Sequence, residues 1–286
     1  MRKILILFLL FTALVFTGCT HQQNTADIAA TTLPVYEFTS VLCQNTGLSV
    51  ARLITESVSC LHDYSLQVNQ MRMIESADTV VISGAGLEDF LDDALSDANA
   101  VIDASIGVHV HHGEHHDDHG HQNDAHIWLS PENAKIMAKN ICDGLTLQYP
   151  QYKDIFAENL ISLLSELDDL QNYGTEKLSV LSCRSLITFH DGFAYLAESF
   201  DLTILRAVEE ESGSEASAKE LKELIILARQ HQLPAIFTER SGSVSAADVI
   251  SAETGIEVYT LDMAMAGDSY FNAMYYNIDT IKEALG

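Results

Sequence analysis

The sequence predicts an α/β protein of two βα lobes, each with a parallel-type sheet, joined by one long linking helix. Three observations carry this. Short apolar runs alternate with amphipathic stretches from residue 28 to about 104, and again from 185 to the end. Such alternation calls for crossover helices that cover parallel strands. Between the halves, residues 151–177 contain no proline and one glycine, Gly174, near the end. In that stretch Ile155, Leu160, Leu163, Leu164, Leu167 and Leu170 recur at helical spacing, which predicts about seven turns in one piece.

In order, residues 28–32 read as a strand and 35–46 as a helix, with a second strand at 50–54. A helix at 68–77 leads through Asp78 to the β-branched strand 79–83, then a helix at 87–95 and a strand at 100–104. Residues 109–125 break the pattern: they are nearly all His, Asp, Glu, Gly, Asn and Gln, a low-complexity loop with no core-forming period. Ser130 and Pro131 suit the cap and first turn of a helix running to about 147. Beyond the linking helix, strands are expected at 185–189, 202–207, 235–238 and 258–261. Helices are expected at 193–200, 216–231, 246–253 and 270–285. In the 216–231 helix, Leu221, Leu224, Ile225 and Ala228 share the sheet-facing side, with Glu220, Lys222 and Glu223 outward. The division is therefore a first lobe at 28–150, a linking helix at 151–178 and a second lobe at 179–286.

The N-terminus has its own logic. Arg2 and Lys3 precede an apolar run that ends at Phe16, shorter than the about 20 residues a membrane span needs. The charged start and small-residue end read as a secretory signal at 1–18. Phe16-Thr17-Gly18-Cys19 resembles a bacterial lipobox, with Cys19 lipidated and 19–27 serving as a tether. Four cysteines then remain, Cys43, Cys60, Cys142 and Cys183; an exported protein can pair them, and three pairings are open.

Acidic residues number 41 against 15 basic ones, a net charge of −26 with histidine neutral. That excess excludes nucleic-acid binding, which draws on Lys and Arg, and a polybasic hold on lipid. It suits a protein that handles cations. The twelve histidines sort by position. His109, His111, His112, His115, His116, His119 and His121 crowd the loop, where several imidazoles can chelate zinc loosely in many combinations. His111-His112-Gly113-Glu114-His115 matches a protease zinc pattern, but glycines in a polar run oppose the helix which that chemistry needs. Three other histidines stand at the ends of predicted elements: His62, His126 and His190. Asp262 ends a strand in the same way. Ligands in parallel α/β sheets bind at the carboxyl ends of strands, and three His with one carboxylate make a closed tetrahedral Zn²⁺ set.

These segments resemble the metal-binding lipoproteins of zinc ABC importers, the cluster 9 solute-binding family. The resemblance runs through Thr31-Thr32-Leu33-Pro34-Val35-Tyr36, His62-Asp63-Tyr64, His126-Ile127-Trp128-Leu129-Ser130-Pro131 and Phe189-His190-Asp191-Gly192-Phe193 to Thr238-Glu239 and Leu261-Asp262, in the family's order. It implies metal in a cleft between the lobes, His62 and His126 coming from the first and His190 and Asp262 from the second. It also implies a rigid link, a monomer, and as partners a permease and its ATPase. Glu239 matches a family position near the cleft, an accessory ligand or outer partner. Manganese-selective members usually carry Glu where His190 stands, so Zn²⁺ is favoured over Mn²⁺. Leu61 and Met263 stand where the family commonly has proline. The implied function is an extracytoplasmic zinc receptor, not an enzyme, since four protein ligands leave no site for an activated water. The rival readings are a Mn²⁺ receptor, a zinc-binding adhesin or buffer, and a secreted metallohydrolase.

Overall fold

A computed structural model describes residues 26–56, 61, 64–111, 123–208 and 216–286. The signal segment, Cys19, Cys60, His62, His112, His115, His116, His119 and His121 lie outside the described residues.

The first lobe runs β1 (Ile28–Ala30), α1 (Leu33–Leu42), β2 (Val50–Arg52), α2 (Val68–Ser76), β3 (Thr79–Ile82), α3 (Asp92–Leu95), β4 (Val101–Asp103) and α4 (Pro131–Gln148). Next comes α5 (Lys153–Leu178), then β5 (Ser185–Thr188), α6 (Ala194–Ser199), β6 (Thr203–Ala207), α7 (Ala218–Gln230), β7 (Ala235–Glu239), α8 (Ser245–Thr254), β8 (Glu257–Leu261) and α9 (Tyr270–Leu285). The strands form two parallel sheets, ordered β2-β1-β3-β4 and β6-β5-β7-β8. This is the α/β architecture that the alternation predicts. All of β1 and β7 is buried, as expected of strands covered on both faces.

Local chemistry sets the boundaries. Pro131 opens α4, and the Ser130 hydroxyl accepts from the Asn133 N–H. Ser217 and Glu220 form a reciprocal capping box on α7, and Gly255 ends α8 in the left-handed region at φ 76°. On α7, Leu224 and Ala228 are buried and Leu221 and Ile225 half-buried, with Lys222 and Glu223 exposed. One element departs from expectation: 87–95 is not a single helix. The Glu88 carboxylate turns back to accept from the Ser83 and Gly84 N–H groups and the Thr31 hydroxyl. Gly84, Ala85 and Gly86 all have positive φ, so only a 3₁₀ turn at Asp89–Leu91 and the short α3 follow.

The helix α5 touches both lobes. Asn159 donates to the Leu42 and Gln44 carbonyls of the first lobe. Further on, Gly174 faces Phe200 and Ile278 of the second; a Cβ there would lie 2.3 Å from the Phe200 ring. The cysteine question resolves in part: Cys43, Cys142 and Cys183 are unbridged. Burial pushes the Cys43 thiol up to about 12. Among the described residues no helix is long and apolar enough to cross a membrane.

Candidate metal centre

Three strands of the second sheet end side by side, because β5 lies next to β7 and β7 next to β8. His190 follows β5, Glu239 is the last residue of β7, and Asp262 directly follows β8. The parallel register sets Glu239 opposite Leu261, the neighbour of Asp262. From the first lobe, His126 immediately precedes the 3₁₀ turn Ile127–Leu129.

The His126 and His190 rings meet edge to face, with centroids 5.3 Å apart. Asp124 accepts from the His126 N–H and pairs with its Nδ1, each at 2.9 Å. That partner fixes the ring and leaves Nε2 for a metal, the usual outer support of a ligating imidazole. Burial works to raise the Asp124 carboxyl, but hydrogen bonding and charge from His126 outweigh it and hold the carboxyl below its ordinary range. Gly192 makes room for both rings: a Cβ there would lie 2.9 Å from His190 Cδ2 and 3.0 Å from His126 Cε1.

Glu239 is 2% exposed, and neither carboxylate oxygen accepts a hydrogen bond. His190 Nδ1 is 3.4 Å from Oε2. Burial, aided by the charge of Asp262, pushes the Glu239 carboxyl up to about 8. A buried carboxyl with no hydrogen bond and a long contact to a histidine has an open claim on a cation.

Asp262 is engaged differently. Its Oδ2 pairs with Arg240 Nη1 at 2.9 Å, and its Oδ1 accepts from the Ala264 N–H at 2.8 Å. Asn277 clamps its backbone, accepting from the N–H and donating to the carbonyl, both at 2.7 Å. Among the described residues, no three metal-capable side chains stand together as a ready cluster. The arrangement thus joins His126 to His190 and His190 to Glu239 and turns Asp262 toward Arg240; His62 lies outside the described residues. A cavity of about 150 Å³ opens beside Glu239, Arg240 and Asp262, with Met263 and Met265 on its wall.

The root of the histidine tract is held firmly. The His111 N–H donates to the Tyr195 hydroxyl, which donates in turn to the Asp124 carbonyl, both at 2.9 Å. The His111 ring stacks on Tyr195 at 4.3 Å, its Nε2 lies 2.9 Å from Glu198, and His109 sits beside it. Burial pushes the Tyr195 hydroxyl up to about 12. Asp124, Tyr195 and Arg240 were not legible as site residues from spacing. A carboxylate two places before His126 and a lone basic residue directly after Glu239 were the available signals.

Comparison with known proteins agrees with this architecture. The zinc-binding lipoprotein AdcA of Streptococcus pneumoniae is 27% identical over 312 residues; the match takes in 99% of this chain and 61% of that protein. The chain therefore spans less than two thirds of the length of that relative. A Treponema pallidum protein named for metal binding is 30% identical over 240 residues, covering 78% of this chain and 76% of its own length. A crystal structure of ZnuA superposes with a TM-score of 0.79 at 28% identity, covering 91% of this chain and 99% of that one. The model of one family, described as zinc-uptake complex component A, periplasmic, matches residues 28–284, nearly the whole described chain, and the chain belongs to that family.

Proposed function

We propose that the chain is an extracytoplasmic Zn²⁺ receptor that captures the ion in the cleft between its lobes and hands it to the permease and ATPase of an ABC importer. Its ligands are His62, His126, His190 and Asp262, with Glu239 as an accessory. The observation that carries this reading is the meeting of His126 and His190 from opposite lobes, with His190 Nδ1 3.4 Å from a buried Glu239 that accepts no hydrogen bond. Two imidazoles favour Zn²⁺ over the oxygen-preferring Mn²⁺. The name of the zinc-binding relative in Streptococcus pneumoniae points the same way. Lobes at 28–150 and 179–286 with the link at 151–178 fit a receptor whose closed state the metal favours. Residues 1–18 direct export, and lipid on Cys19, through the tether 19–27, holds a monomer at the outer face of the cytoplasmic membrane. The tract at 109–125 gathers further zinc weakly through His109, His111, His112, His115, His116, His119 and His121.

Competition titration of purified protein with Zn²⁺ and Mn²⁺ tests this. One tight Zn²⁺ site is expected, weakened at least a hundredfold by His126→Ala or His190→Ala. Equal affinity for Mn²⁺, or a tight site indifferent to both substitutions, would overturn it. Loss of growth in chelated medium on deleting the gene, restored by zinc, separates import from adhesion or buffering.

A further inference from the structure

We infer that Arg240 is an internal stand-in for the metal: its guanidinium holds Asp262 when the cleft is empty and must leave for Zn²⁺ to take Oδ2. The inference rests on the zinc-receptor reading above and adds a residue that sets affinity and release.

The geometry leaves little alternative. Both Asp262 oxygens have partners, Ala264 N–H on Oδ1 and Arg240 on Oδ2. Ala264 cannot withdraw readily, because its neighbours are tied to the first lobe: the Met263 carbonyl accepts from Trp128 Nε1 and the Met265 carbonyl from the Leu33 N–H. The Asp262 backbone cannot turn either, since Asn277 binds both its N–H and its carbonyl. The movable member is the arginine. Its N–H is fixed to the Leu261 carbonyl, but its side chain is 57% exposed. The same guanidinium already lies over the Tyr276 ring, its carbon 4.8 Å from the centroid, a contact it can keep while Nη1 swings off Asp262. The pair is open to water on the arginine side only, 57% against 12% for the Asp262 side chain, so the guanidinium can leave into solvent while the carboxylate stays in the cleft for a divalent cation. The remaining positive charge beside the bound ion then lowers affinity and speeds release. For a receptor that must surrender its cargo, a built-in competitor is useful.

The test uses the full chain, measuring Zn²⁺ affinity by chelator competition and release by stopped flow. Arg240→Met keeps the apolar stem against Tyr276 and removes the charge. It should tighten binding roughly tenfold, mostly through slower release. Arg240→Lys, which restores a cation, should stay near wild type. Placed on Asp262→Asn, Arg240→Met should tighten binding by clearly less than on the wild type, because only the charge beside the ion, and no longer the competition for Oδ2, is removed. Unchanged or weakened binding in Arg240→Met, with Asp262→Asn still impaired, overturns the stand-in and leaves the zinc site intact. Wild-type binding in Asp262→Asn removes Asp262 from the ligand set and overturns both.

Discussion

Glu239 should cost the metal-free protein stability in proportion to pH. Its carboxyl titrates near 8 in the fold and near 4.5 when unfolded, burial being the main cause. A raised carboxyl pKa gives stability that is fully present below 4.5 and lost as pH climbs to 8. The folded state holds a proton there that the unfolded state has released. The gap corresponds to about 4–5 kcal/mol at the alkaline plateau and less than about 1 kcal/mol at pH 5. Glu239→Gln keeps the shape and removes the ionisation. In chelator, its melting point should exceed wild type by roughly 10 °C at pH 8.5 and by only a few degrees at pH 5, at about 2–4 °C per kcal/mol for a chain of this size. Zinc should reverse the order, because bound metal stabilises wild type through a carboxylate that the variant lacks. Parallel melting-point curves against pH for the two proteins would refute the reasoning, whatever happens to zinc affinity.

Glu88 is the matched opposite: burial pushes it to about 7, but its oxygens accept from Thr31, Ser83 and Gly84. Glu88→Gln sets an amide NH₂ against backbone donors and should destabilise by about 2–3 kcal/mol in chemical denaturation at neutral pH. Gly192→Ala places a methyl between His126 and His190, so titration should show zinc binding weakened tenfold or more, with a stability loss of only about 1–3 kcal/mol. Deleting 109–121 should remove weak zinc equivalents in calorimetry and leave one tight site; loss of the tight site would contradict the ligand assignment. Affinity should also fall as pH drops toward about 6, because imidazole must be neutral to ligate.

Periodicity made most of the fold legible. The spacing of Leu163, Leu167 and Leu170 fixed α5, because those same side chains are the ones the helix buries. Ser130-Pro131 announced α4 by the chemistry of a helix start. Residues 87–95 escaped because Leu87, Leu91 and Leu95 imitate a helical stripe. What breaks it is the Glu88 side chain spending itself on Ser83 and Gly84, a tertiary contact with no periodic trace. The same division holds at the centre. Residues at strand ends could be read, since topology converts sequence position into shared location. The partners that orient or occupy them could not. Asp124 on His126 and Arg240 on Asp262 are matters of side-chain direction, which spacing does not encode.

The segment after Asp262 constrains how the cleft can open. It leaves β8 of the second sheet, yet its bonds run to the first lobe. Met263 accepts from Trp128, Met265 from Leu33 and Gly267 from Arg52. Glu37 accepts from the Ser269 hydroxyl and the Tyr270 N–H, and the Tyr270 hydroxyl donates to the Trp128 carbonyl. At about 1 kcal/mol each, parting these six bonds costs on the order of 6 kcal/mol before any apolar area is exposed. A rigid swing of the whole second lobe must break all of them. A motion that keeps the segment on the first lobe, and bends the chain near Leu261, spares all six and parts Arg240 from Asp262 instead. In that second motion Asp262 stays with His126 while His190 and Glu239 move away. The division of the candidate ligands by mechanics then differs from their division by sheet.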